Sequence, residues 1–522
     1  MMNQAAASTL QMMLNPTLPL TLLAPVFAAL VIVFLPKEET KTIKIVAALG
    51  TLTSLALSIY VFFAYDRHLG GMQFNFLVPG WTQDLGVNLA FGVDGISLPM
   101  LLLTNLIGFS AVYSSWNLEK RVKEFFVLLL VLIAGVMGTF IARDLFIFFL
   151  FYEVVVIPIY IMVIIFGSTK RVTKEYAGMK LTIYLLIGSA FLLVGLVALY
   201  LAIIPLNHNQ GTFMFDQLAL LGQQLDPNFQ VFVFALVLFG FGSLISMFPF
   251  HSWSPDGYAG APTAVSMIHA GVLKKIGGYG LIRLGLFVLP AGAKFWAPAM
   301  AVLAVAGALY AAFIAMAQKD LKYVVGYSSV SHMGYVIIAI AALNITSIDG
   351  AVAMMFAHGV MSALFFSMIG FVYEKTHTRN IADLGGLAHQ MPRLATGFLI
   401  AGMAGLGLPS TVNFVAEFTI FIGAVKALPV PAVLGVFGII FTAAYTLRVI
   451  ANVLFGPRRP EWDHLRDLKG PEMVPIYVFV TVLFVVGVFP NLVLGLIDSG
   501  VVSSGLAKIL ETVGQAKIGG LF

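Results

Sequence analysis

The chain contains no cysteine, so it forms no disulfide and offers no thiolate to zinc or to an iron–sulfur cluster. Charge is scarce as well. Asp, Glu, Lys and Arg make up 10% of the 522 residues, against roughly 25% in an ordinary soluble domain. The net charge of +5 is too small to point to nucleic acid as a partner. No GxxxxGK[ST] phosphate loop occurs, and no sugar- or nucleotide-recognition pattern stands out. Nor is there a polar stretch near the length of even a small domain of about 50 residues. What fills the chain instead is apolar: 60% of it is AVILMFWYC, with 44 Phe and 50 Gly. Runs of this kind long enough to cross a hydrocarbon core of roughly 30 Å recur from end to end. These features predict an all-α, polytopic membrane protein, with 1–522 as a single integral membrane domain in the lipid bilayer.

Apolar segments separated by charged or Pro/Gly-rich breaks number about fourteen: 20–35, 43–64, 96–114, 124–140, 143–166, 180–205, 229–250, 264–290, 296–316, 325–343, 347–373, 394–423, 428–455 and 473–497. The stretch from Met1 to Pro19 has no Lys or Arg, so it lacks the basic region of a signal peptide, and the first helix is expected to be retained. Basic residues test the count, because they gather on the cytoplasmic side. With the first loop cytoplasmic, alternate loops collect Lys37, Lys41 and Lys44; Lys120, Arg121 and Lys123; Lys170, Arg171, Lys174 and Lys180; Lys319 and Lys322; Lys375, Arg379 and Arg393; and Arg458, Arg459, Arg466 and Lys469. The opposite side keeps Arg67, Arg143, Lys294, Lys426, Lys508 and Lys517. Both termini are therefore expected outside the cytoplasm.

Two segments look interrupted, one around Ser243 to Pro262 and one around Gly402 to Asn413. Paired breaks in corresponding spans point to inverted repeats with broken helices at a transport site. The breaks fall in spans 7 and 12, which suggests two inverted five-helix units, spans 4–8 over 124–290 and spans 9–13 over 296–455. The plainer reading, that Gly and Pro are simply frequent in membrane helices, stays open for either break alone.

A charge at mid-membrane costs on the order of 2.5–3.5 kcal/mol on the insertion scale, so each such residue is by default a functional candidate. Glu153 sits in FLFYEVVVIPIY, Lys274 and Lys275 in HAGVLKKIGGYG, and Glu417 in LPSTVNFVAEFTIF. His332 and His358, in YSSVSHMGY and MMFAHGVMSALFF, add groups that titrate near neutral pH, although either also fits a hydrogen-bonded core histidine. His251 and His269 are weaker candidates, and Arg283 and Arg448 read equally well as structural partners near helix ends. Burial disfavours the charged form of Glu and Lys alike and pairing restores it, so making or breaking a pair changes proton affinity. Alternating signs argue against a pore lined by one charge and fit a proton relay through Glu, Lys and His.

Six runs carry a family resemblance: DLFIFFLFYEVVVIPIYIM at 144–162, FPFHSWSPDGYAGAPTA at 248–264, GVLKKIGGYGLIR at 271–283, YSSVSHMGY at 327–335, HGVMSALFFSMIGFVYEKTHTRNIADLGGL at 358–387 and GLGLPSTVNFVAEF at 405–418. Together they resemble the antiporter-like, proton-translocating membrane subunits of respiratory complex I, the NADH:quinone oxidoreductase. The EKTHTRNIADLGGL element looks most like the branch called chain M in bacteria and subunit 4 in mitochondria. The resemblance covers nearly the whole chain. It implies fourteen helices with inverted repeats at 4–8 and 9–13, and proton-transfer roles for Glu153, Lys275 and Glu417, with His332 and His358 between them. It also implies no redox cofactor on this chain; NADH, FMN, iron–sulfur clusters and quinone are expected in partner subunits of the membrane and peripheral arms, at a bacterial inner membrane.

One position departs from the family pattern. The lysine usual on helix 7, partner of the helix-5 glutamate, is replaced by Leu244, and Ser246 stands at a usual proline. Lys274 supplies the lost charge, or the subunit couples differently, or it is a diverged copy that no longer pumps by the usual route. Rival readings are a subunit of a multi-subunit Na+/H+ antiporter, the membrane arm of a hydrogenase-type complex, and a non-pumping scaffold.

Overall fold

A computed structural model of the chain describes residues 14–82, 84–168 and 172–514. The stretch 1–13 and the basic residues Lys170, Arg171 and Lys517 lie outside the described residues. Numbered by span, the helices are α1 (Thr17–Phe34), α2 (Thr40–Ala64), α3 (Ser97–Ser114), α4 (Val122–Ile141), α5 (Leu145–Phe166) and α6 (Lys174–Ile203). α7 comprises Pro227–Ile245 and a second half, Trp253–Gly260, and α8 is a continuous helical run over 263–286. They are followed by α9 (Pro290–Ala317), α10 (Leu321–Ala341), α11 (Ile345–Thr376), α12 in two halves (Pro392–Gly405 and Val412–Ala427), α13 (Pro429–Leu454) and α14 (Val474–Val488). Among the described residues, twelve helices are individually long and apolar enough to cross a membrane. α8 and α12 stand outside that group because π turns divide the first and an unwound segment the second.

Helix starts follow local chemistry. Asp144, Thr173, Asp226, Asp320 and Asn344 each accept backbone N–H groups from the first turn of the helix that follows, which satisfies donors the helix itself leaves unpaired. At Asp226 this is reinforced by Pro227 in the first helical position, where a missing N–H costs nothing.

Three features differ from the sequence reading. The outer stretch 66–95, expected as loop, holds an antiparallel hairpin, β1 (Gln73–Thr82) with β2 (Val87–Val93), paired Phe76 to Phe91 and Val78 to Leu89. Its short strands carry a weak and context-dependent propensity signal that is easily lost beside the long apolar runs. The last segment, read as one span at 473–497, is α14 and a separate helix Asn491–Ser503, which bends by 70° into a further short helix. Lys322, assigned to a loop, lies in the first turn of α10 and is 3% exposed.

Nearly every residue of α8, α10 and α11 is buried, whereas α1, α6 and α13 each expose an apolar face. The three buried helices therefore form the axis, and the exposed faces meet lipid or a partner protein. The basic loops gather at one end, held by backbone bonds from Leu321 N–H to the Arg379 carbonyl (3.0 Å), Ser168 N–H to Gly260 (3.0 Å) and Gly386 N–H to Phe455 (3.0 Å). The ion pairs Arg379–Asp320 at 3.3 Å and Lys375–Glu472 at 2.6 Å add to them. At the other end the hairpin closes over the start of α5: Arg143 N–H donates to the Ala90 carbonyl (2.9 Å), and Asp144 accepts from Asn88 N–H (2.9 Å).

Candidate functional site

The site is built around α8. This helix contains π turns over His269–Leu273 and Leu281–Leu286, a local widening that recurs at functional sites. Between them lie Lys274 and Lys275, both fully buried. The Lys274 N–H reaches back five residues to the His269 carbonyl, and the neighbouring Ala270 carbonyl accepts a hydrogen bond from the Lys275 ammonium. The backbones of α8 and α11 approach closely here: a Cβ on Gly359 would stand 2.6 Å from the Gly271 carbonyl oxygen, so only glycine permits this spacing. That approach sets Lys275 Nζ 2.9 Å from His358 Nδ1.

From His358 the chain of polar groups continues to α10. The His358 and His332 rings are 5.3 Å apart between centroids. His332 faces a carbonyl at each nitrogen: Ser328 at Nδ1 (2.8 Å) and Gly405 at Nε2 (3.3 Å). A neutral imidazole has one N–H, and only the imidazolium donates to both. Gly405 is the last residue of the first half of α12, so the carbonyl end of that half-helix, its negative end, points at His332. Glu417 Oε1, on the second half, lies 3.8 Å from His332 Nε2. A second polar line runs beside this one: Lys274 donates to Ser329 (3.3 Å), next to Ser328, which accepts a hydrogen bond from the Tyr445 hydroxyl (2.7 Å).

The structure thus brings together five of the six residues singled out from sequence: Lys274, Lys275, His358, His332 and Glu417. Glu153 stands apart. It lies on the exposed face of α5 with Phe146, Leu150, Val154 and Ile157, and its Oε1 is buried without a hydrogen-bond partner among the described residues. No ion pair joins it to Lys274 among the described residues. Leu244 is fully buried in the apolar core. His251 stacks on Phe248, and His269 is held between the rings of Trp253 and Tyr258. Arg283 pairs with the buried Asp94, and Arg448 donates to the Gln318 carbonyl at 2.8 Å.

Sequence reasoning missed Asp94, Ser328, Ser329, Tyr445 and Lys322. Asp94 precedes the apolar run of α3 and reads there as an ordinary helix-start acid, which in part it is, since it accepts from Ile96 and Ser97 N–H.

Residues 142–442 match the model of the family described as NADH:quinone oxidoreductase/Mrp antiporter, TM. The chain belongs to this family. Relatives are similar over nearly their full length: NADH-quinone oxidoreductase subunit M of Pseudomonas aeruginosa is 36% identical over 492 residues, 91% of this chain and 95% of that one. NAD(P)H-quinone oxidoreductase chain 4 1 of Synechococcus elongatus is 33% identical over 517 residues, 97% of this chain and 95% of that one. Among solved structures, a chain of respiratory complex I from Thermus thermophilus with bound NADH superposes with a TM-score of 0.84 at 28% identity, covering 95% of this chain and 99% of that one. A chain of the Mrp complex from Dietzia gives 0.81 at 20% identity, covering 97% and 99%, which is a likeness of fold.

Proposed function

We propose that this chain is a membrane-arm subunit of a proton-translocating NADH:quinone oxidoreductase, carrying protons along Lys274/Lys275, His358, His332 and Glu417. The observation that carries this reading is the buried row of titratable groups from Lys275 through His358 and His332 to Glu417, which ends at the unwound segment of α12. Relatives named as subunits of quinone oxidoreductases supply the parent complex, and NADH, FMN, iron–sulfur clusters and quinone belong to the other subunits. The basic end is the cytoplasmic one and both termini lie outside, at a bacterial inner membrane. Residues 124–290 and 296–455 are the two inverted repeats, each with one interrupted helix.

In this mechanism redox energy released elsewhere alters charge pairing along the axis. With a proton on both ring nitrogens, His332 fills the Ser328 and Gly405 carbonyls. Once the 3.8 Å gap between His332 Nε2 and Glu417 Oε1 closes to hydrogen-bond distance, passing the Nε2 proton to Glu417 neutralises both groups and breaks the link to Gly405. Lys275 then protonates His358 across their 2.9 Å hydrogen bond, and His358 in turn restores the proton of His332, whose ring centroid lies 5.3 Å from its own. Moving one charge against 100 mV requires about 2.3 kcal/mol, the size of an ordinary coupling free energy between protein sites, about 1–3 kcal/mol. Glu153, whose buried Oε1 has no hydrogen-bond partner among the described residues, takes part only through a neighbouring subunit.

The test is the proton-to-electron ratio of the intact complex in sealed vesicles, with Lys275→Ala and Glu417→Gln. Both variants are expected to assemble, to keep quinone reduction when uncoupled, and to pump fewer protons per electron. An unchanged ratio in both assembled variants rejects the relay in favour of a scaffold. Purification with antiporter subunits only, and no redox partners, assigns the chain to a cation/proton antiporter complex instead.

A further inference from the structure

A groove at the basic end is formed by three helices: the end of α1, the first turns of α4 and the last turns of α5. Its volume is about 620 Å³, within the roughly 300–1,000 Å³ of sites that hold a small molecule. Charge is confined to its mouth. Lys37 follows the end of α1, and Arg121, Lys123 and Glu124 stand at the start of α4, three basic side chains against one acid. One to two turns deeper the lining is apolar, with Val127 and Leu128 from α4 and Ile161 and Ile165 from α5.

The basic groups are largely unspent within the chain. The Lys123 ammonium donates to the Leu35 carbonyl at the end of α1 (2.8 Å), which ties two walls of the groove together and uses one of its three N–H donors. Arg121 Nε is 3.6 Å from the Glu124 carboxylate, with both side chains more than half exposed, a contact that contributes little in water. Lys37 makes no ion pair or side-chain hydrogen bond among the described residues. The apolar outer face of α1, where Leu30, Val33 and Phe34 are exposed, continues one wall of the groove into the hydrocarbon. A protein segment filling this space would have to place an anion at one end and unbroken apolar surface beyond it. A phospholipid has that order by its constitution. Basic pockets between membrane helices at the membrane surface bind anionic lipid headgroups, and a guanidinium grips phosphate through paired N–H donors.

We infer that this groove holds an anionic phospholipid, its phosphate among Lys37, Arg121 and Lys123 and an acyl chain along Val127, Leu128, Ile161 and Ile165. The inference uses only the location of these helices in a membrane, and it stands whether or not the chain translocates protons. Ile161 is one turn from Ile157, on the exposed face of α5 that carries Glu153, so the lipid sits at the edge of that face.

The test is photolabelling of the purified intact complex, in mild detergent, with a phosphatidylglycerol that carries a diazirine on its acyl chain, the labelled residues being located by peptide mass spectrometry. Label is expected on the segments 127–128 and 161–165, with unlabelled phosphatidylglycerol competing for it better than phosphatidylcholine. Lys37→Gln and Arg121→Gln change exposed side chains, and each is expected to lower that preference about fivefold, the effect of one basic residue near an anionic surface. The groove between α2, α3 and α14 at Phe62, Leu106 and Val485 has no charged residue in its lining and serves as the comparison, where the two lipids compete alike. Equal competition by the two lipids in the basic groove, a preference unchanged in either variant, or no label there because a neighbouring subunit fills the space, overturns the inference.

Discussion

Gly407 offers a direct test of whether the position of Glu417 matters. It lies in the unwound segment of α12 with φ +68°, and a Cβ there would stand 2.5 Å from Glu417 Oε2. Gly407→Ala has two separable consequences. The left-handed backbone costs an L-residue about 1–2 kcal/mol. The added methyl also drives the carboxylate back by about 0.9 Å, the gap between 2.5 Å and the 3.4 Å at which ordinary contact starts. Glu417 Oε1 is 3.8 Å from His332 Nε2, longer than the roughly 2.6–3.2 Å over which a proton passes directly, so the transfer depends on the carboxylate being free to approach, and a methyl that fixes it elsewhere disturbs that approach. Gly470 separates the two effects. Its φ is +53° with nothing within 4 Å of a Cβ, so Gly470→Ala bears a similar backbone cost without touching the site. Thermal unfolding of the purified complexes is expected to show comparable losses for the two variants. Proton transport per electron should fall in Gly407→Ala alone. Equal transport in both variants would refute the role of Glu417 placement.

Other outcomes follow from particular contacts. Arg283→Met leaves Asp94 buried without its cation, which costs about 3–5 kcal/mol; reduced assembly is expected on native gels, with partial recovery on adding Asp94→Asn. Gly95→Ala places a Cβ 1.9 Å from the Leu496 carbonyl oxygen, and because backbone cannot yield as a side chain does, an overpacking loss of about 1–3 kcal/mol should appear as faster proteolysis near Asn491–Ser503. Asp144→Ala removes the cap of α5 and its link to Asn88, lowering stability by about 1–2 kcal/mol, while Asp144→Asn retains most of it. Lys274→Ala is expected to lower proton transport with assembly intact; unchanged transport would remove Lys274 from the relay.

The membrane helices were legible because each is specified locally, the apolar runs setting the spans. The interruptions of α7 and α12 were legible for the same reason, since Pro and Gly act on the backbone beside them. The hairpin at 73–93 was not, because its pairing joins residues whose individual signals are weak. Lys322 shows the limit most clearly. Two residues beyond a capping aspartate, its position on the chain is that of an ordinary loop-end lysine, and nothing local distinguishes an outward side chain from one turned into the joint of α7 and α8.

By itself the sequence determined that this is a polytopic membrane protein and which ionisable residues its spans carry, because hydropathy and the cost of an intramembrane charge are properties of single segments. Only the tertiary structure decided which of those residues meet. The close approach of α8 to α11 joins Lys275 to His358, the break in α12 turns Gly405 and Glu417 towards His332, and the outward face of α5 keeps Glu153 away from all of them. These are matters of how helices rotate and pack against one another, and that depends on long-range contacts no single segment contains.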